Sequence, residues 1–282
     1  MIRIRCGALK YTKAGKSDMG KFDGKLLVSD MDATLLNSQG KISDSDRKAI
    51  EYFISEGGKF TVASGRMVPA VRAYFNQMTI NAPAILHNGA KLYCYESESV
   101  IFERFIEDER KLAIKRVHDT RPEFGLEIYS DELVYVYNRC FETERFKTKP
   151  YKVIYSMPDE IWERPWIKAL IIGHKEQLDE FTPIYQSEYD SGYSVRSGDR
   201  YLDIVANGVS KGFGLAKLAT ILGIDMENVY AVGDNMNDID MLKRAGHPFA
   251  VKNALSEVKA VAGKVIPSCD DSTIAYIVKN GL

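Results

Sequence analysis

The sequence predicts a doubly wound α/β sheet built from two separated stretches of chain, with an α+β domain inserted between them. Three observations predict it. Short, nearly continuous apolar runs rich in β-branched residues recur toward both ends of the chain and stop at polar residues or Gly, as parallel strands covered on both faces do. Helical periodicities lie between those runs. The middle of the chain carries denser strand-like stretches with fewer helical ones.

In chain order, Leu26-Leu27-Val28 is the first core strand. Ser43 then caps a helix whose Ile50, Phe53 and Ile54 share a face, and Gly57-Gly58 stops it. Phe60-Thr61-Val62-Ala63 and Ala84-Ile85-Leu86 are the next strands. The middle segment contributes strands at Leu133–Tyr137, Lys168–Ile172 and Tyr201–Val205, with helices near 107–118 and 175–188. Ser210 caps a further helix, with Leu215, Leu218, Ala219 and Leu222 inward and Gly223 past its end. After the strand Val229–Val232, Asn237 is expected to cap a helix with Met241, Leu242 and Ala245 inward and Gly246 following. Phe249-Ala250-Val251 is a further core strand. The division is therefore a discontinuous core, 25–91 with 206–282, and an inserted α+β domain, 92–205. Residues 1–24 are an extension, and Met19 is a candidate internal start that would leave the first 18 residues dispensable. No internal repeat, low-complexity stretch or Pro-rich linker interrupts the chain.

Composition bounds the function. With 282 residues, 45% hydrophobic and 27% charged, the chain fits a soluble protein of more than one domain. A formal net charge of -1 gives no electrostatic reason to expect nucleic acid or an anionic membrane as partner. Nothing in the N-terminus matches a secretory signal, and no apolar run reaches the roughly 18 residues of a membrane span. Cys6, Cys94, Cys140 and Cys269 form no Cys-x-x-Cys pair, and His87, His118, His174 and His247 show no ligand spacing. A reducing, cytoplasmic compartment without zinc or disulfides is the simple reading.

Four polar clusters follow predicted strands directly, where open parallel sheets bind their ligands. Asp30-Met31-Asp32-Ala33-Thr34-Leu35-Leu36 places two carboxylates two residues apart, on one side of an extended backbone. Such a pair repels itself unless a cation or shared proton intervenes. A hard divalent cation resolves the repulsion and leaves a nucleophilic carboxylate beside a proton donor. Alone, the pair equally fits a solvated turn with one Asp capping a helix. Ser64-Gly65-Arg66 offers a hydroxyl and close backbone approach to an oxyanion, or simply a capped turn. Lys211, in Val209-Ser210-Lys211-Gly212, adds a cation at a helix start that already attracts anions, or is a surface lysine. Gly233-Asp234-Asn235-Met236-Asn237-Asp238 gathers carboxylates and amides suited to Mg²⁺. It fails as a calcium loop of the EF-hand type, with Met236 at the third ligand position and no Gly at the sixth. The conjunction of all four at strand ends points to one site.

Together these residues resemble the haloacid dehalogenase superfamily, in its Cof-type branch with a large inserted cap. Asp30-x-Asp32-x-Thr34-Leu35-Leu36, Ser64-Gly65-Arg66, Lys211 and Gly233-Asp234-x-x-Asn237-Asp238 are similar to its four motifs in order, and Asn88-Gly89-Ala90 also fits. The resemblance spans about Lys25 to the C-terminus. It implies a Rossmann-like core and a Mg²⁺-dependent phosphomonoesterase acting through an aspartyl-phosphate. Asp30 would be the nucleophile and Asp32 the acid and base. Thr34, Ser64, Gly65, Arg66, Lys211 and Asn237 would bind the phosphate ester. Asp30, Asp32 (through its main-chain carbonyl), Asp234 and Asp238 would form the metal site. The expected partner is a small phosphate ester, a sugar phosphate first and a phosphorylated cofactor next, with the enzyme a monomer or weak homodimer. A phosphotransferase or mutase using the same intermediate, or a non-catalytic phosphometabolite-binding protein, are the alternatives. Lys168, Arg196 and Arg66 are candidates for reaching the substrate. One departure stands out: Ala33 occupies a position where the family usually has Gly. Were its φ positive, the cost would be roughly 1–2 kcal/mol.

Overall fold

The computed structural model describes residues 2–4, 20–148 and 152–282. Met19, and most of the segment whose dispensability the sequence suggests, lie outside the described residues, as does Cys6.

The chain runs through β1 (Ile2–Ile4), β2 (Leu26–Ser29), α1 (Asp44–Ser55), β3 (Lys59–Val62), α2 (Val68–Arg72), β4 (Ala84–Leu86), β5 (Lys91–Cys94) and β6 (Ser99–Arg104). The inserted part follows: α3 (Asp108–Thr120), β7 (Gly125–Ser130), β8 (Leu133–Asn138), β9 (Lys152–Ile154), β10 (Lys168–Ile172), α4 (Lys175–Ile184), β11 (Ser194–Arg196) and β12 (Tyr201–Ile204). The chain then returns through α5 (Lys211–Leu222), β13 (Val229–Gly233), α6 (Ile239–Arg244), β14 (His247–Val251), α7 (Ser256–Val261), β15 (Lys264–Ile266) and α8 (Thr273–Asn280).

Five of these strands form a parallel sheet in the order β15-β14-β13-β2-β3, so the two halves of the chain meet at the β13–β2 pair. A parallel bridge from Ala63 to Ile85 attaches β4, which continues antiparallel into β5, β6 and β1. Leu26, Leu27, Val28, Ala231 and Val232 are wholly buried, as central parallel strands covered on both faces require. Each large apolar side chain so buried stabilises the fold by about 1.5–3 kcal/mol.

The helix signals behave as the sequence predicts, with one correction. Ser43 accepts from Asp46 N and Ser210 from Phe213 N, while Gly223 takes the left-handed conformation that ends α5. Asn237, however, is not the cap before α6. Asn235 caps that turn, its side chain accepting from Met236 N, and Asp238 closes a capping box. Asn237 is thereby free to turn toward the 88–89 turn.

The inserted residues build a second sheet, ordered β11-β12-β10-β7-β8-β9 and antiparallel except for β8–β9. Strand alternation sorts its side chains. Leu126 and Ile128 on β7, Ala169 and Ile171 on β10, and Leu202 and Ile204 on β12 join Ile114, Phe181 and Tyr185 under α3 and α4. The alternate positions Tyr129, Leu170 and Ile172 turn the other way and pack with Met67, Ala70 and Ala90 of the core. A break at 92 falls within β5, and the hairpin's Leu92 and Phe102 belong to the parallel sheet's cluster. Among the described residues no helix is long and apolar enough to cross a membrane. Cys94, Cys140 and Cys269 are unbridged.

Candidate active site

Backbone geometry at the strand ends assembles the site. The amide of Asp30 donates to Val232 O at 2.9 Å, locking the first acidic loop beside the fourth. Past Asp30 the chain turns through Met31–Leu35 with Ala33 at φ 56°, a left-handed conformation strained for alanine. Two glycines permit the close approaches. A Cβ on Gly89, at φ +97°, would lie 1.9 Å from Ser210 O, where the 87–89 turn meets the start of α5. A Cβ on Gly233 would meet the Asp238 side chain at 2.5 Å.

At the bottom of the site, Lys211 Nζ donates to Asp30 Oδ1 at 2.5 Å and to Asp238 Oδ1 at 2.7 Å. Asp238 Oδ2 accepts from the amides of Asp234 and Asn235, both at 3.0 Å. Thr34 Oγ1 donates to Asp234 Oδ1 at 2.7 Å. All of these side chains are buried. Burial pushes the Asp30 carboxyl well above its usual range against the pull of Lys211, with Asp238, Asp234 and Asp32 adding to the rise. Asp234 is pushed up to about 6 by burial and by the charge of Asp238, against its bond from Thr34. Burial by itself would lower Lys211, but the charges of Asp238 and Asp30 overcome it and raise it.

This donor set fits a divalent cation. Asp30, Asp234 and Asp238 each offer a carboxylate oxygen, all within 4.8 Å of one another. Three buried carboxylates share one ammonium, an imbalance that a hard, oxygen-seeking Mg²⁺ corrects.

Above this floor a cleft of about 430 Å³ opens, lined by Asp30, Asp32, Ser64, Gly65, Arg66, Asp234 and Asn237 of the core. The Asp32 carboxylate is not in the acidic triad. Its side chain is 62% exposed and held by Arg66, with Nε to Oδ2 at 2.8 Å and Nη2 to Oδ1 at 2.6 Å. Thr34, Lys211 and Asp238 do not line the cleft; they lie beneath it, bonded to Asp234 and Asp30, which do. Asn237 Nδ2 donates to Asn88 Oδ1 at 3.1 Å.

The inserted segment supplies the opposite wall, with Tyr129, Arg145, Lys168, Ser197, Tyr201 and Asp203. Of the three candidates for reaching a substrate, Arg66 and Lys168 line the cleft. Arg196 does not; it pairs with Asp179 at 2.6 Å and with nearby carbonyls. Arg145 makes two bonds to the buried Glu127, at 2.6 and 2.7 Å, and Tyr129 Oη donates to the same carboxylate at 2.9 Å. His87 is buried nearby and held neutral, pushed well below its usual pKa by burial and then by Lys91 and Lys168.

Sequence reasoning did not single out Tyr129, Arg145, Ser197, Tyr201 or Asp203. A signal existed: Glu127 and Asp203 are carboxylates inside otherwise apolar strands, and a charge in such a place is retained only where it is paired. Their companions at alternate positions share that face. Which face meets the core is a tertiary fact.

Residues 27–278 match the family described as haloacid dehalogenase-like hydrolase. A pyridoxal phosphate phosphatase of Escherichia coli is 28% identical, over 92% of this chain and 98% of its own length. A 5-amino-6-(5-phospho-D-ribitylamino)uracil phosphatase of Bacillus subtilis is 26% identical, over 90% of this chain and 96% of its own. A Thermotoga maritima protein of known crystal structure superposes with a TM-score of 0.74 at 29% identity, covering 90% of this chain and 96% of that one.

Proposed function

The chain is a phosphatase belonging to the haloacid dehalogenase-like hydrolase family, and from that premise we propose that it hydrolyses the phosphomonoester of a small metabolite through Asp30 in a Mg²⁺-dependent reaction. The observation that carries this reading is the convergence of Asp30, Asp234, Asp238 and Lys211 from three loops at the bottom of one cleft. An Asp30 oxygen attacks phosphorus and forms an aspartyl-phosphate as the ester P–O bond breaks. Asp32, at the mouth of the cleft, leaves Arg66, enters the step as the carboxylic acid and gives its proton to the departing alkoxide oxygen, becoming the carboxylate. It then takes a proton from the water that attacks the aspartyl-phosphate, returning Asp30 and inorganic phosphate. Ser64 Oγ, the amides around Gly65 and the Lys211 ammonium stabilise the oxygens on which charge develops.

Asp30 and Asp234 would hold Mg²⁺, with the main-chain carbonyl of Asp32 and the Asp238 carboxylate supporting them. When bound, the ion supplies the positive charge that keeps these raised carboxyls ionised and neutralises phosphoryl oxygens. Thr34 and Asn237 keep the loops around it in register. Sugar phosphates are the first substrate class and phosphorylated cofactors the next. A cleft of about 430 Å³, walled by Tyr129 and Tyr201 with Ser197 and Asp203 between, suits a small ring or polyol. The E. coli and B. subtilis relatives act on phosphorylated compounds of that size. A charge near zero fits a cytoplasmic enzyme, monomeric or weakly dimeric, with neither nucleic acid nor membrane as partner. We assign the β5–β6 hairpin to the core and the segment that follows, through about residue 205, to the cap.

The test is phosphate release from p-nitrophenyl phosphate, with and without Mg²⁺, by the wild type and by Asp30→Asn. Metal-dependent turnover that the variant loses supports the reading. Equal turnover by the two proteins sinks it.

A further inference from the structure

We propose that the buried Lys168–Asp203 pair is a two-handed latch, a pair of positioning residues through which closure of the cap sets the geometry of the phosphate loop and the acidic loop. The inference rests on the phosphatase site above. Both residues belong to the cap sheet, Lys168 at the start of β10 and Asp203 on β12, at positions facing the core. They pair with each other at 3.2 Å, with side chains 7% and 1% exposed. Each also reaches across the seam to a different core loop. Lys168 Nζ donates to the carbonyl of Gly65 at 2.8 Å. Asp203 Oδ1 accepts from Asn88 Nδ2 at 2.9 Å, while Ser197 Oγ donates to its other oxygen.

Each core contact leads on to the site. Gly65 lies between Ser64 and Arg66, and Arg66 N donates back to Ser64 Oγ at 3.2 Å. Fixing the Gly65 carbonyl therefore orients the hydroxyl and amides aimed at phosphate. Asn88 sits in a left-handed turn at φ 55° and holds Asn237 through its side-chain oxygen. Asn237 is on the turn whose Asp234 and Asp238 complete the acidic triad. One cap ion pair is thus bonded directly to the phosphate loop and, through Asn88, to the acidic loop.

Rigid-body opening of the cap would break the Gly65 and Asn88 bonds together, because both cross the seam. It would also expose an ion pair whose attraction is strongest when water is excluded. Coupling of this kind favours closure when the phosphate and acidic loops are in their working positions. It favours those positions when the cap is closed. A purely cap-internal salt bridge would do neither.

The experiment compares the wild type with Lys168→Met, Asp203→Asn and the double variant, each loaded with Mg²⁺, with orthovanadate added only for the affinity and scattering measurements. Removing one partner leaves the other buried and uncompensated, so a single variant that folds poorly is an expected complication. The double variant leaves no unpaired charge and keeps the fold testable. Turnover of p-nitrophenyl phosphate, vanadate affinity and the radius of gyration from small-angle scattering are read for each protein. For the double variant we expect kcat lower by about 10–100-fold, the range a misplaced reacting geometry produces. We also expect weaker vanadate binding and no contraction when vanadate is added, whereas the wild type contracts. The single variants that fold should match the double variant instead of adding up to it. A double variant that contracts normally and keeps wild-type kcat overturns the latch. That outcome is distinct from failure of the phosphatase reading, in which the wild type itself shows no metal-dependent turnover above Asp30→Asn.

Discussion

The floor of the cleft and its cap wall use charge in opposite ways. On the floor, Asp30, Asp234 and Asp238 outnumber their one ammonium, Lys211. Burial leaves the Asp30 and Asp234 carboxyls raised, a state that awaits a cation. On the wall, cations are matched: Arg145 with Glu127, and Lys168 with Asp203. An imbalance is what binding a metal and a phosphoryl group requires, and it is costly until they arrive. A balanced wall can close over a substrate without meeting that cost, and it can select by shape and hydrogen bonding. On the proposed reading, the difference separates chemistry from specificity within one cleft.

The sharpest way to break this comparison is at Lys211. In Lys211→Met the floor loses the ammonium that pairs with Asp30 and Asp238, and we expect loss of turnover beyond about 10²–10³-fold. Denaturant unfolding of the metal-free protein should show a stability loss of about 3–5 kcal/mol. A variant with near-native activity would remove the ammonium from the mechanism. Ser64→Ala tests a neutral donor in the core lining just above that floor. Activity assays should show kcat lower by about 10²-fold, with little change in melting temperature.

The wall should respond differently. Tyr129→Leu is expected to change the ranking of metabolite substrates by about 10–200-fold in kcat/KM while altering turnover of p-nitrophenyl phosphate much less. A screen of phosphorylated metabolites with both proteins reads this. Uniform loss across all substrates would show that the wall takes part in chemistry.

The charge imbalance itself can be read by titration. Asp234 has a folded-state pKa of about 6 against an ordinary 3.8. Its contribution to stability is therefore complete below the ordinary value and is lost as pH rises through about 6. The metal-free protein should weaken over that interval, and Mg²⁺, which binds only the ionised carboxylate, should restore it. The rise in melting temperature on adding Mg²⁺ should be larger at about pH 7.5 than at about pH 5. Asp234→Asn should show little rise at either. The smallest effect belongs to Ala33→Gly. It should stabilise the protein by about 1 kcal/mol by relieving a left-handed alanine, measured by denaturant unfolding.

The strand ends and their acidic and basic residues were legible because local rules govern them. An apolar run that stops at Asp30, Ser64 or Asp234 announces a strand end, and Ser43 and Ser210 announce helix starts. Asn237 was misjudged as a cap because Asn235 competes for the same role two residues earlier. Only the packed turn shows that Asp238 pairs with Asn235 in the capping box. A boundary at Leu92 falls inside β5, and its placement meets a similar difficulty. The β5–β6 hairpin is antiparallel like the cap, yet it packs its apolar side chains into the other core. Nothing in its periodicity records which core that is.

By itself, the sequence determined the alternation of strand and helix at both ends of the chain, the inserted α+β segment and the polar residues that follow the core strands. These follow from side-chain period, capping and glycine placement, all set by near neighbours in the chain. Only the tertiary structure decided that Asp32 turns out to Arg66 while Asp30 turns in to Lys211. It also decided that Asp203 reaches Asn88, 115 residues away. Those choices depend on how two sheets approach each other and on where burial makes a charge affordable, and both are properties of the assembled molecule.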